Sequence, residues 1–110
     1  MQTVTFFTHT HFGDKPQIDM MFESFTSKEI RICMAEGNIM REHTAPGAIM
    51  IMVLKGSVLI TSLEESVVLN AGDMIGFEAK VPHSLEAHEE SILRLSLSKN
   101  DTFKRVIGVL

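Results

Sequence analysis

Five histidines are the residues in this chain best suited to chemistry near neutral pH. A neutral imidazole offers one hydrogen-bond donor and one acceptor, enough to orient a ligand hydroxyl or carbonyl or to move a proton. His9-Thr10-His11 forms an H-x-H pair, which on a strand would turn both rings to one face, whereas an irregular polar arm would leave both in solvent. His43 precedes the turn signal Pro46-Gly47, and His83 directly follows Pro82. Arg41 stands two residues before His43, where it could present a guanidinium fork to a carboxylate or form a surface ion pair. Glu78 and Lys80 lie just ahead of His83, as a charged surface turn or as the polar rim of a site. The single cysteine, Cys33, has only Arg31 as a nearby base in sequence, so an activated thiol is not expected and a packing role is.

These residues must be positioned by short strands. Gly37, Pro46-Gly47, Lys55-Gly56, Glu64-Glu65, Ala71-Gly72-Asp73 and Pro82 punctuate the chain roughly every 8–10 residues, the spacing of strands joined by turns. Between them lie the β-type segments 20–25, 29–34, 48–54, 58–62, 67–69, 74–77 and 91–97. In the last, Leu93, Leu95 and Leu97 alternate with Arg94, Ser96 and Ser98, a period of two that sends one face to a core and the other to water. Segment 48–54 is apolar on both faces and needs cover on both sides. Residues 1–19 read as an arm ahead of a single domain over 20–110. Residues 102–110 fit either a closing helical turn or a last strand. About nine short strands without a helical pattern predict an all-β sandwich or barrel.

Composition narrows the function classes. The chain is 45% hydrophobic and 22% charged, values of a globular domain rather than a disordered one. No apolar run approaches the ~20 residues that span a bilayer, and Met1-Gln2-Thr3-Val4 lacks the start of a secretory signal. One cysteine permits neither an internal disulfide nor a Cys-rich zinc site, so a cytoplasmic home with no membrane partner is expected. A net charge of −4 without a Lys/Arg cluster argues against nucleic-acid binding. Trp and Tyr, frequent anchors of protein-recognition surfaces, are absent.

Two stretches carry a more specific signal. Gly37-Asn-Ile-Met-Arg-Glu-His43-Thr-Ala45-Pro-Gly-Ala-Ile49, continuing to Gly56, resembles the first cupin motif, with the opening Gly, the first His and the closing Gly in register. Gly72-Asp73-Met-Ile-Gly-Phe77-Glu78-Ala-Lys80-Val-Pro82-His83 is similar to the second cupin motif at Gly72 and His83. There Glu78, Lys80 and Ala87 stand where Pro, Gly and Asn are usual. The resemblance runs from about Glu36 to Leu97 and is to small single-domain cupins of the RmlC-like superfamily. It implies a double-stranded β-helix, the jelly-roll cupin barrel, with a ligand pocket inside.

Transferred to this chain, the cupin metal ligands fall on His43, Ala45, Ile49 and His83, so the metal motif is degenerate. Two imidazoles without a carboxylate leave the charge of a divalent ion largely uncompensated. No cofactor is therefore expected, beyond at most a weakly held divalent transition metal on His43 and His83. The same two histidines are the candidate acid/base residues. With strand alternation, they share a ligand pocket with Ala45, Ile49, Ile51, Val53, Leu85 and Ala87, and Arg41 at its mouth has the parity of His43. Burial there would favour neutral imidazoles.

The expected function is binding, or acid/base transformation, of a small organic molecule. The competing readings are a metal-dependent oxygenase or isomerase using His43 and His83, and a stand-alone ligand-sensing module. Met50 and Met52 alternate with Ile49, Ile51 and Val53 and should face outward. Their cover is either the chain's own N- or C-terminal segment or, as the resemblance to small cupins implies, a second copy in a homodimer paired through a sheet face. The remaining methionines read as core filler.

Overall fold

A computed structural model describes all residues, 1–110. Nine strands and one short helix follow one another. They are β1 (Gln17–Glu23), β2 (Ser27–Met34), β3 (Ile39–His43), β4 (Ile49–Lys55), β5 (Ser57–Ser62), β6 (Glu65–Asn70), β7 (Met74–Phe77), β8 (His83–Ala87), β9 (Ser91–Ser98) and α1 (Phe103–Ile107). They form two antiparallel sheets, one ordered β1-β2-β9-β4-β7 and the other β3-β8-β5-β6. This is the expected all-β jelly roll. No helix is long and apolar enough to cross a membrane.

The core follows from two-residue periodicity. Leu93, Leu95 and Leu97 of β9 meet Ile49, Ile51 and Val53 of β4, and Ile60 and Leu85 face them from the other sheet. Pairing β2 with β9 sets Arg31 directly opposite Arg94, a like-charge pair that would destabilise the sheet if left alone. Each has its own carboxylate, Asp19 for Arg31 and Glu29 for Arg94. Arg31, only 4% exposed, also donates to the carbonyls of Phe6, Thr8 and His9, and so ties the N-terminal segment to β2.

Gly56 shows why its turn needs glycine. Its φ of 92° is unfavourable for other residues, and a Cβ there would lie 2.5 Å from the Glu90 carbonyl oxygen.

Several expectations shift in the structure. The first strand begins at Gln17, inside the stretch read as an arm, and ends at Glu23 rather than at residue 25. The two strands that the pattern did not single out are β3 and β8, which carry the two histidines. The C-terminal segment resolves as α1, with the Thr102 side chain capping its first turn by accepting from the Arg105 amide. Within the single chain, Ile49, Ile51 and Val53 of segment 48–54 are buried, while on the outer face Met52 is half-buried and Met50 is 51% exposed. Met20 and Met74 are exposed rather than core filler, whereas Met34 and Met40 are buried.

Candidate functional site

Strands β3 and β8 pair so that His43 lies opposite His83 and Met40 opposite Leu85. The register slips between these pairs, because Arg41 and Glu42 occupy the space of a single step. This β-bulge is decisive for the site. It turns both Met40 and His43 inward and leaves Arg41 exposed, its guanidinium donating to the Gly108 carbonyl. The expectation that Arg41 shares the inward face of His43 is thus corrected: alternation breaks at the bulge, and Arg41 does not line the site.

His43 and His83 sit with ring centroids 4.3 Å apart in an edge-to-face arrangement. Phe77, from the end of β7, stacks on His83 at 4.7 Å with the rings 13° from parallel. Each Nδ1 faces a main-chain oxygen two residues earlier, Arg41 at 2.7 Å for His43 and Val81 at 2.9 Å for His83. Only a protonated Nδ1 can donate to a carbonyl, so in the neutral ring the lone pair lies on Nε2. The Nε2 of His83 is buried and has no hydrogen-bond partner.

Burial holds both imidazoles below the ordinary histidine value. The carbonyl contacts oppose this, and the Arg105 charge reinforces it at both rings. At His43 the His83 ring and Arg41 push the same way.

Around the pair, Ile32, Met40, Ile49, Ile51, Leu85 and Leu95 form an apolar wall, closed by Arg105 and Val106 of α1. Of the predicted ligand residues, His43, Ile49, Ile51, His83 and Leu85 come together here. Ala45, Val53 and Ala87 are buried in the core but do not line this hollow.

Nothing local in the sequence marks Arg105, because a C-terminal turn carries no sign that it roofs a distant barrel. It is held over the pair by a two-point contact to the fully buried carboxylate of Asp101 and by a hydrogen bond to the Thr44 carbonyl. Asp101 in turn accepts from the Thr102 amide.

The free volume beside the histidines is about 10 Å³, room for a water-sized group. A larger hollow of about 300 Å³ lies elsewhere, between β5, β6 and β7, and shares Phe77 with the histidine site.

His9 and His11 are exposed and form no metal-holding group with His43 or His83. Glu78 and Lys80 are exposed on the loop between β7 and β8, where the Lys80 amide donates to the Ala45 carbonyl. Cys33 is buried, and burial raises its thiol pKa, in keeping with a packing role.

The cupin domain model matches residues 30–98, most of the barrel and both histidines. The chain belongs to the cupin family. Among solved structures, this cupin is similar to the conserved SPY1581 protein of unknown function from Streptococcus pyogenes. That match has 20% identity over 92% of this chain and 90% of the other, with a TM-score of 0.77. An RmlC-like cupin from Desulfovibrio desulfuricans matches with 17% identity over 89% and 96% of the two chains at a TM-score of 0.80. KdgF from Halomonas sp. matches with 16% identity over 77% and 82% at 0.69. At these identities the likeness shows the fold alone. No curated protein matches the chain.

Cupins often hold a metal, and the residues present here do not fit one well. The four positions that correspond to metal ligands hold two imidazoles, a methyl group and a sec-butyl group. No carboxylate or third imidazole joins the pair, and the charged side chain that lines the hollow is the Arg105 cation. A transition-metal centre usually takes about three protein ligands, and a cationic neighbour further disfavours a divalent ion.

Proposed function

We propose that this cupin binds a small organic molecule through a pair of neutral histidines, acting without a resident metal. The observation that carries the reading is the buried, unpartnered Nε2 of His83, a strong acceptor in an apolar wall. A buried acceptor left unpaired costs about 1–3 kcal/mol. A ligand O–H or N–H entering beside it would recover that cost and be oriented at the same time. With both pKa values lowered by burial, the rings are neutral at pH 7 and able to accept a proton from such a group. His43 and His83 would supply the acid/base step, and Ile49, Ile51 and Leu85 the apolar contacts. A ligand larger than water reaches them only if Arg105 and Val106 move aside, so α1 belongs to the binding event.

The experiment is elemental analysis of untagged protein after incubation with manganese, iron, nickel and zinc, beside the His43→Ala/His83→Ala double variant. It is paired with NMR of the histidine ring nitrogens during titration with a library of small hydroxyl- and amide-bearing compounds. Substoichiometric metal, and a hit that shifts the His83 Nε2 resonance, is the expected result. About one metal per chain, lost in the double variant, would replace this reading with a metal-dependent cupin enzyme. A hit returned chemically unchanged would favour a ligand-sensing module over a catalyst.

We further propose a cytoplasmic homodimer paired through the face bearing Met50, Met52 and Met74. Met50 and Met74 are 51% and 54% exposed there, around a shallow hollow that also includes Arg94 and Ser96.

A further inference from the structure

The two sheets close differently at their two open sides. On one side, where β1 and β3 are the edge strands, α1 packs against β1 and hydrogen-bonds to the β3 region. On the other, the edges β6 and β7 leave a hollow of about 300 Å³ between the sheets. That is within the size range of small-molecule sites.

Its walls follow from the register. Ile60 pairs with Val67 and Ser62 with Glu65, so all four share the inward face of their sheet. Ile75 and Phe77 face them from β7, where they pair with the inward residues Ile51 and Ile49. Glu65 is therefore on the inward-facing side of edge strand β6, solvent-exposed at the mouth of the hollow, and it is the only charged residue lining it. The hydroxyls are already engaged, Ser62 with the Pro82 carbonyl and Ser66 with Thr61.

The β5–β6 turn adds a second peculiarity. Leu63 and Glu64 have φ of 50° and 72°, the left-handed pair of a two-residue hairpin that Asn-Gly usually fills. This turn holds an apolar side chain, 67% exposed, on the rim of the hollow.

We infer that the hollow between β6 and β7 is a second binding site, for an apolar amine: a ring or short chain among Ile60, Leu63, Val67, Ile75 and Phe77, with its ammonium group on Glu65. Charge decides the class, because an anion would meet Glu65 with no cation in the wall. A neutral apolar molecule would fill the space but forgo the charge-assisted hydrogen bond that the carboxylate at its mouth offers an ammonium group. The site is distinct from the histidine pair and takes a different chemistry.

The chain has no Trp or Tyr, so indole fluorescence can be read without protein background. Tryptamine, 3-methylindole and indole-3-acetate are titrated with the full chain and followed by fluorescence anisotropy. Tryptamine should bind saturably and about tenfold tighter than 3-methylindole, with indole-3-acetate weaker still. Glu65→Gln should bring tryptamine to the level of 3-methylindole, and Val67→Phe, which fills the hollow, should weaken both. His43→Ala should change neither, which separates this site from the histidine pocket.

Equal affinities, a preference for the acid, or no binding at all would overturn the inference. So would tryptamine binding that survives Glu65→Gln. If Glu65→Gln instead made the protein self-associate with tryptamine binding unchanged, Glu65 would be a guard of the β6 edge and not a ligand contact.

Discussion

His43 and His83 differ from surface histidines in a way that stability should report. Both pKa values are lowered in the folded state, first by burial, so the unfolded chain takes up protons that the folded chain refuses. Above the ordinary histidine value of about 6.5 both states are neutral and the pair has no effect on pH dependence. As pH falls below that value, the unfolded state binds more protons and folding stability drops. Glu29 titrates lower. Burial alone would raise its pKa, but hydrogen bonds from Ser96, Arg94 and Ser27 hold it below the usual carboxylate value. The stability linked to Glu29 is thus lost only at more acidic pH. Urea unfolding between pH 7 and pH 5 should show a falling midpoint, with a flatter profile in the His43→Gln/His83→Gln variant. A profile identical in both proteins would mean that the rings protonate freely in the fold.

Among the secondary-structure elements, the bulge in β3 and the turn before β6 shape the histidine hollow and the rim of the second hollow. Strand alternation puts Arg41 on the same face as His43, but in the structure it lies elsewhere, because two residues, Arg41 and Glu42, fit into one step of β3. Nothing in Ile39-Met40-Arg41-Glu42-His43 announces this. The partner strand β8 and the demand to bury Met40 decide it. The Leu63-Glu64 turn stores backbone strain of order 1 kcal/mol or more per residue. Leu63→Asn/Glu64→Gly should therefore raise stability by about 1–2 kcal/mol, read from the urea midpoint at constant m-value. It should also weaken tryptamine binding by removing Leu63 from the rim. Unchanged or lower stability would show that the side chains at this turn contribute more than the strain costs.

For the whole molecule, the open question is what covers the outer face of β4 and β7. Met52 pairs directly with Met74, and Met50 lies on the same face of β4. Burying such a surface stabilises by roughly 25 cal/mol per Å² of apolar area. Sedimentation equilibrium at micromolar concentration should give twice the chain mass, and Met50→Glu/Met74→Glu should give single chains without unfolding. A monomeric wild type would remove the dimer and leave the methionines as isolated surface residues.

The all-β class was legible from strand periodicity, and the jelly roll from the resemblance of two glycine-bounded stretches to cupin motifs. Period-two alternation in β9, turn glycines such as Gly56, and the spacing of His43 and His83 within glycine-bounded motifs are local signals, and each survives in the structure. The sequence also revealed that aliphatic residues stand at two of the metal-ligand positions. What the histidines meet depends on long-range packing. Arg105 and Val106 arrive from a C-terminal helix whose sequence fitted a helical turn or a strand equally well. The place of Glu65 at the mouth of the second hollow depends on its pairing with Ser62 and on the gap left between two sheet edges. Contacts between residues distant in the chain depend on packing that no local pattern encodes, and the chemistry of both sites rests on such contacts.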